Sequence, residues 1–192
     1  MIPAVAQGLN AAWLLACGRP EAVALFDTAD PGQQASTARN SFWAALLCLP
    51  AFLCLDLLGW LDSGAPAHPG HALAADLLTW AIGWAGFAIL SHRIAGLSNR
   101  GGRWWRFIAV WNWCNVAQYL ITVLSALPGA FGAPAWISEA AWLAGLGWAL
   151  WIEWFATRLA LDLPGGAAAG LVALDLALGL LLTAVSVSML PS

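Results

Sequence analysis

Apolar positions run almost unbroken through five stretches of the chain, at about 41–61, 73–97, 104–127, 136–160 and 168–190. A helix that spans a bilayer needs about 20 mostly apolar residues, and each stretch is long enough. Only helices and closed barrels can satisfy their backbone inside lipid, and these runs are too long and continuous for barrel strands. The breaks between them hold turn formers: Asp62-Ser63-Gly64-Ala65-Pro66, Asn99-Arg100-Gly101-Gly102, Pro128-Gly129 with Gly132-Ala133-Pro134, and Leu163-Pro164-Gly165-Gly166. The pattern predicts an all-α fold, a polytopic membrane helical bundle of five transmembrane helices.

Ahead of the first run, Leu9, Trp13, Ala16 and Pro20 recur at helical spacing, and Pro20 suits the first position of a second short helix from Glu21 to Phe26. Because Arg19-Pro20-Glu21 interrupts the apolar residues, this element is expected as an amphipathic helix lying on the membrane surface. Residues 27–40 read as a polar linker. The chain thus divides into a cytoplasmic segment, 1–40, and a transmembrane domain, 41–190. Residues 11–17 imitate a signal-peptide core, but no Lys or Arg precedes them, Asn10 breaks the run and Leu15 is too large for a cleavage site, so the segment is expected to stay uncleaved.

Charge orients the helices. Arg19 and Arg39 precede the first run, Arg93, Arg100, Arg103 and Arg106 flank the second connection, and Arg158 ends the fourth run. Residues 62–72, 128–135 and the C-terminus carry no basic residue. Basic residues gather on the cytoplasmic side of short loops, so five spans with the N-terminus inside and the C-terminus outside place every arginine correctly. Trp43, Trp104 and Trp105 then fall at inner ends and Trp60 and Trp136 at outer ends, while Trp80, Trp84, Trp113, Trp142, Trp148 and Trp151 lie deeper.

Composition agrees: 61% of residues are apolar, 14 are Trp, and only 7 basic and 10 acidic side chains are present, with a mean hydropathy of +0.77. Soluble proteins carry about 25% charged residues. Disorder, coiled coils, disulfide-stapled modules and nucleic-acid binding all need charge, cysteine or basic surface that is missing. Every basic residue is Arg in a chain rich in Ala, Gly, Leu and Pro, which points to a bacterial inner membrane. Cys17, Cys48, Cys54 and Cys114 fit no disulfide or zinc pattern.

Candidate chemistry begins on the third run, where Asn112, Asn115, Tyr119 and Thr122 share one helical face, edged by Gln118 and Ser125. Such a stripe is either an interhelical hydrogen-bond seam or one wall of a hydrated path. Asp175 lies about 12 Å into the fifth helix, where an ionisable group is a functional candidate. Asn112, Asn115, Glu153 and Asp175 are expected in one polar layer, with Arg93, Arg106 or Arg158 as ionic partners. On the outer side stand Asp56, Asp62, His68, His71, Asp76 and Glu139. His68-Pro69-Gly70-His71 reads as a loop, and Asp76 and Glu139 suit helix N-termini. Ala141, Gly145 and Ala149 form a small-residue ridge, as do Ala81 and Ala85, and Pro50 falls within the first helix. No phosphate loop, zinc-protease, serine-hydrolase or CxxC motif occurs, so no catalytic residue, cofactor or metal is assigned.

The short cytoplasmic start, the five closely spaced helices and the Arg158-Leu159-Ala160-Leu161-Asp162 connection before a small-residue helix start resemble the Yip-domain group, over roughly residues 40–190. The resemblance implies a non-catalytic membrane protein acting through partners, which for eukaryotic members are small GTPases of vesicle traffic. The leading expectation is accordingly a structural, assembly or partner-binding protein that touches the lipid bilayer and either its own copies or another membrane protein. A transporter or channel component using the third-helix face and Asp175 is the alternative. A lipid-modifying enzyme with Asp56, His68, His71 and Asp76 is a third.

Overall fold

A computed structural model describes residues 2–189, and every regular element in them is helical. In order they are α1 (Ile2–Ala16), a 3-10 turn (Pro20–Phe26), α2 (Pro31–Ser41), α3 (Trp43–Ser63), α4 (Pro69–Leu97), a short 3-10 turn (Gly101–Arg103), α5 (Trp104–Ala130), α6 (Ala135–Leu161) and α7 (Gly165–Ser188). The five apolar runs are the helices α3 to α7. Residue 190, at the end of the expected fifth run, and the C-terminus lie outside the described residues.

Four stretches are long and apolar enough to cross a membrane: Pro31–Ser63, Pro69–Leu97, Gly101–Ala130 and Gly165–Ser188. α6 is as long as α5 but is not among these four. Trp136, Trp142, Trp148, Trp151 and Trp154, together with Glu139 and Glu153, dilute its aliphatic residues.

The expected linker is corrected in part, because residues 31–41 are helical. The signal was Asp30-Pro31: the Asp30 side chain accepts from the Gly32 N–H at 3.0 Å and Pro31 occupies the first turn, a strong helix start. α2 buries Ala38 and Ser41 and runs through Phe42, whose backbone is itself helical, into α3. α3 continues through Pro50.

α5 organises the packing. Every side chain from Phe107 to Cys114 is buried, on all sides of the helix, as a helix that is apolar all round requires. α6, α3, α1 and α2 pack on it, while α7 lies against α4 and α6. α1 is not a free surface helix. It crosses α5 obliquely from the α2 side toward α6, with Gly8 on the Trp113 ring, Ala4 near Asn40 and Ser41, and the Ala16 carbonyl accepting from Trp148 Nε1 at 3.1 Å. A Cβ at Gly8 would fall 2.2 Å from a Trp113 ring atom, so the approach depends on glycine.

Indole N–H groups tie the remaining helices together, since a buried Trp needs an acceptor. Trp104 donates to Ser91 Oγ (3.1 Å), Trp80 to the Tyr119 hydroxyl (2.9 Å), Trp111 to Asp175 Oδ2 (3.0 Å) and Trp154 to the Gly165 carbonyl (2.9 Å).

Arg100, Arg103 and Arg106 meet at one end. Arg100 and Arg103 both donate to Asp162, and Arg106, 17% exposed, donates to Asp27 and to the Ala160 carbonyl at the end of α6. Arg158 lies over Trp154, 5.6 Å from the ring centroid, and Arg93 is exposed on α4. Asp162 closes α6 in the left-handed region (φ 53°). The Arg103 and Arg100 guanidiniums hold its carboxyl below the usual carboxylate range. A depressed folded pKa stabilises above the unfolded value of about 3.9 and is lost as pH falls through the folded value. Asp162→Asn keeps the left-handed backbone and removes the charge, so it is expected to lower the thermal midpoint modestly at pH 7, with the difference from wild type shrinking as pH falls through the folded value. Gly8→Leu is expected to detach α1 and raise its hydrogen exchange while leaving α5 protected; unchanged exchange in α1 contradicts the packing described.

Candidate functional site

A crevice of about 240 Å³ opens between α4, α5 and α7, with Phe52 of α3 at one edge. Asp76, Thr79, Trp80, Gly83 and Trp84 line it from α4, Trp111, Asn115 and Tyr119 from α5, and Asp175, Gly179, Leu182 and Thr183 from α7. Each set follows steps of three and four, so one face of each helix is committed to the cavity. Along α7 the lining covers about 12 Å of helix.

The local sequence explains the opening. Gly83 and Gly86 bring α7 close, their virtual Cβ positions lying 3.3 and 3.6 Å from Leu182 and Leu178. On the facing side Gly179 has no neighbour within 4 Å of a virtual Cβ, so space remains between the helices there. Phe52, Trp80, Trp84, Trp111 and Phe87 form a chain of ring contacts with centroids 4.7 to 5.8 Å apart, and this fixes the aromatic wall.

Two carboxyls occupy the cavity. Asp76 accepts from Ser186, which joins α4 to α7 near one end. Asp175 accepts from Trp111 Nε1 near the other. Glu153 of α6, 7% exposed, stands next to Asp175 behind the wall, and its Oε1 has no hydrogen-bond partner. Asp56, one turn along α3 from Phe52, approaches Asp76, and its buried Oδ2 is also without a partner. Among the described residues no basic side chain lines the crevice.

The expected polar layer is brought together only in part. Asn115 and Asp175 share the cavity, and Glu153 is adjacent. Asn112 is elsewhere: its Nδ2 donates to Ser41 Oγ at 2.7 Å, and its buried Oδ1 is unpartnered. Thr122 and Ser125 donate to carbonyls of their own helix, at Gln118 and Ile121. Gln118 reaches the Ala149 carbonyl at 2.8 Å. The α5 stripe therefore splits into seam contacts, at Asn112, Gln118 and Tyr119, and a cavity wall, at Asn115 and Tyr119.

The arginine partners expected for Glu153 and Asp175 are overturned. Among the described residues no ion pair reaches either carboxyl, since Arg106 is taken by Asp27 and the α6 terminus and Arg158 by Trp154. The ridge of Ala141, Gly145 and Ala149 is used within the chain at Gly145, where a Cβ would lie 1.9 Å from Ser125 Oγ. His68 precedes and His71 lies within the first turn of α4, so the pair is at a helix start and not in a free loop. Their rings are 5.8 Å apart. No group of three or more metal-ligating side chains is gathered among the described residues.

Sequence reasoning placed Asp76 as a helix-terminus carboxylate and passed over Trp80, Trp84 and Trp111. The available signal was the stripe Asp76, Thr79, Trp80, Gly83, Trp84, in which a carboxyl, a hydroxyl and two indoles share one face of an apolar helix.

Comparison with protein-family models, curated proteins and solved structures finds no match for the chain. The Yip-domain resemblance gains no support from these, and the site is read from its own geometry.

Trp111→Phe keeps the ring and removes the donor to Asp175; it is expected to cost about 1–2 kcal/mol of stability. Trp80→Phe breaks a neutral pair with Tyr119 and is expected to cost about 0.6 kcal/mol, the usual value between membrane helices. Unfolding in mixed micelles measures both, and equal small losses would contradict the special placement of Asp175.

Proposed function

We propose that this is an integral protein of a bacterial inner membrane, a bundle of five spans α3 to α7 with the N-terminus cytoplasmic and the C-terminus periplasmic, and that it works as a transporter or channel component through the α4–α5–α7 crevice. The observation that carries the reading is a cavity among membrane-length helices that holds Asp76 and Asp175 and no balancing cation. Intramembrane carboxyls are costly, and in membrane proteins they face cavities and solute paths.

Five spans are favoured over four by the place of α6. It packs against both α5 and α7 and, at 27 residues, equals α5 in length. If its neighbours cross in the same direction, α6 must return the chain. Its tryptophans then serve as acceptor-seeking anchors and not as breaks. The gathering of Arg100, Arg103 and Arg106 with Asp27 and Asp162 at one end supports the cytoplasmic assignment of that end. Residues 1–40 form the cytoplasmic-side segment, within which α1 lies against α5 and reaches the middle of α6 at Trp148.

A structural, assembly or partner-binding role remains the second reading, and one observation favours it. Ala81 and Ala85 are exposed on α4, next to exposed Ile82 and Ile89, a face on which a second copy or another membrane protein can pack.

Single cysteines at 65 and 133 are expected to react with an impermeant maleimide from the periplasmic side, and cysteines at 99 and 163 only after permeabilisation. For transport, monovalent-cation current across proteoliposomes on a solid-supported membrane is expected to fall roughly tenfold in Asp175→Asn. Currents identical in wild type, Asp175→Asn and Asn115→Leu would remove transport and leave the partner-binding reading.

A further inference from the structure

We infer that the crevice binds a small organic cation of the alkylammonium class. The inference rests on the crevice being the working site and adds the chemical identity of its occupant.

Charge gives the sign. Asp76 and Asp175 line the cavity, Asp56 and Glu153 stand immediately behind them, and no Arg or His is among the lining residues. Most of the lining donors that an anion needs are already engaged. Trp111 Nε1 is held by Asp175 and Trp80 Nε1 by Tyr119, while the Thr79 and Thr183 hydroxyls and the Asn115 amide donate to carbonyls of their own helices. What the site lacks is a positive charge. Glu153, 7% exposed with Oε1 unpartnered, packs against Asp175 at that end.

The walls decide between a metal ion and an organic cation. A hard metal ion takes about six to eight oxygen ligands at short range, and no such group is gathered among the described residues. The cavity presents Phe52, Trp80, Trp84, Trp111 and Tyr119 instead. Aromatic faces beside a carboxylate recognise alkylated ammonium groups, whose charge is spread over methyl or methylene surface and is attracted by the ring quadrupole. The volume of about 240 Å³ lies below the roughly 300–1,000 Å³ of drug-sized pockets, which limits the occupant to a few carbons around the nitrogen. Asp175, aligned by the Trp111 N–H, is placed to pair with the charge, and the indoles to cover its alkyl surface.

The test uses Gly179→Cys, whose side chain enters open space in the crevice, with Cys17, Cys48, Cys54 and Cys114 replaced by Ser or Ala, in lipid nanodiscs. A hydrophilic maleimide is expected to label the new cysteine, tetramethylammonium to slow the labelling, and its neutral isostere tert-butanol to leave it unchanged. Adding Asp175→Asn is expected to weaken protection roughly tenfold without preventing labelling, and Trp80→Leu to weaken it as well. Labelling that tetramethylammonium does not slow, or that tert-butanol slows equally, overturns the ligand class while the accessible crevice stands. If both Gly179→Cys and Thr183→Cys resist the reagent, the crevice itself is closed and the functional reading falls with the inference.

Discussion

A helix that is bulky and apolar on every side cannot be stable until something covers every side of it, and in this chain that demand falls on the first half of α5. The stretch Phe107–Cys114 is enclosed completely. Around it the chain assembles what it has: α6 and α3 along the length, α2 at the arginine-bearing end, α1 from there toward the middle of α6, and α4 through ring contacts such as Phe87 with Trp111. Gly8 is required because a ring of the enclosed stretch, Trp113, must come into contact with the α1 backbone. The same demand explains why a polar segment such as α2 is helical and docked, since leaving it as a loop would uncover Asn112.

Enclosure ends beyond Cys114. There the α5 side chains become half-buried, and α7 approaches α4 through Gly83 and Gly86 and leaves α5 at a distance. The space so created holds the polar groups of three helices. It is lined by aromatic rings because the chain uses Trp where other apolar helices use Leu, and the indoles of Trp80 and Trp111 are both walls and hydrogen-bond donors. Site and fold therefore share a part: Trp111 closes the enclosed stretch with its ring and aligns Asp175 with its N–H. Substitutions at this position are expected to disturb stability and binding together, whereas Asp175→Asn changes the site alone.

Much of this was legible in the residues. Uninterrupted apolar runs give the positions of α3 to α7 because helix ends coincide with Gly, Pro and Asn clusters, and the segregation of arginines marks one end of the assembly. What the residues hid is a matter of rotation and distance. The shared helical face of Asn112, Asn115, Tyr119 and Thr122 is plain from spacing, yet whether each member meets a neighbour, its own carbonyl or a cavity depends on which helices stand opposite, and no periodicity states that. Asp175 was singled out by its depth. Its donor was not, because a Trp in an apolar helix reads as filler until an acceptor is seen beside its nitrogen. The Asp30-Pro31 helix start was readable, but the polar residues after it masked α2.

Hydroxyl-radical footprinting of the protein in lipid nanodiscs tests the division of α5 into an enclosed and an open part most directly. The account predicts that Tyr119 and Trp80 are oxidised while Phe107 and Trp113 are protected, although all four sit in helices of the same apolar character. Protection of Tyr119 and Trp80 equal to that of Phe107 would mean a dry seam in place of a crevice, and would contradict the central claim.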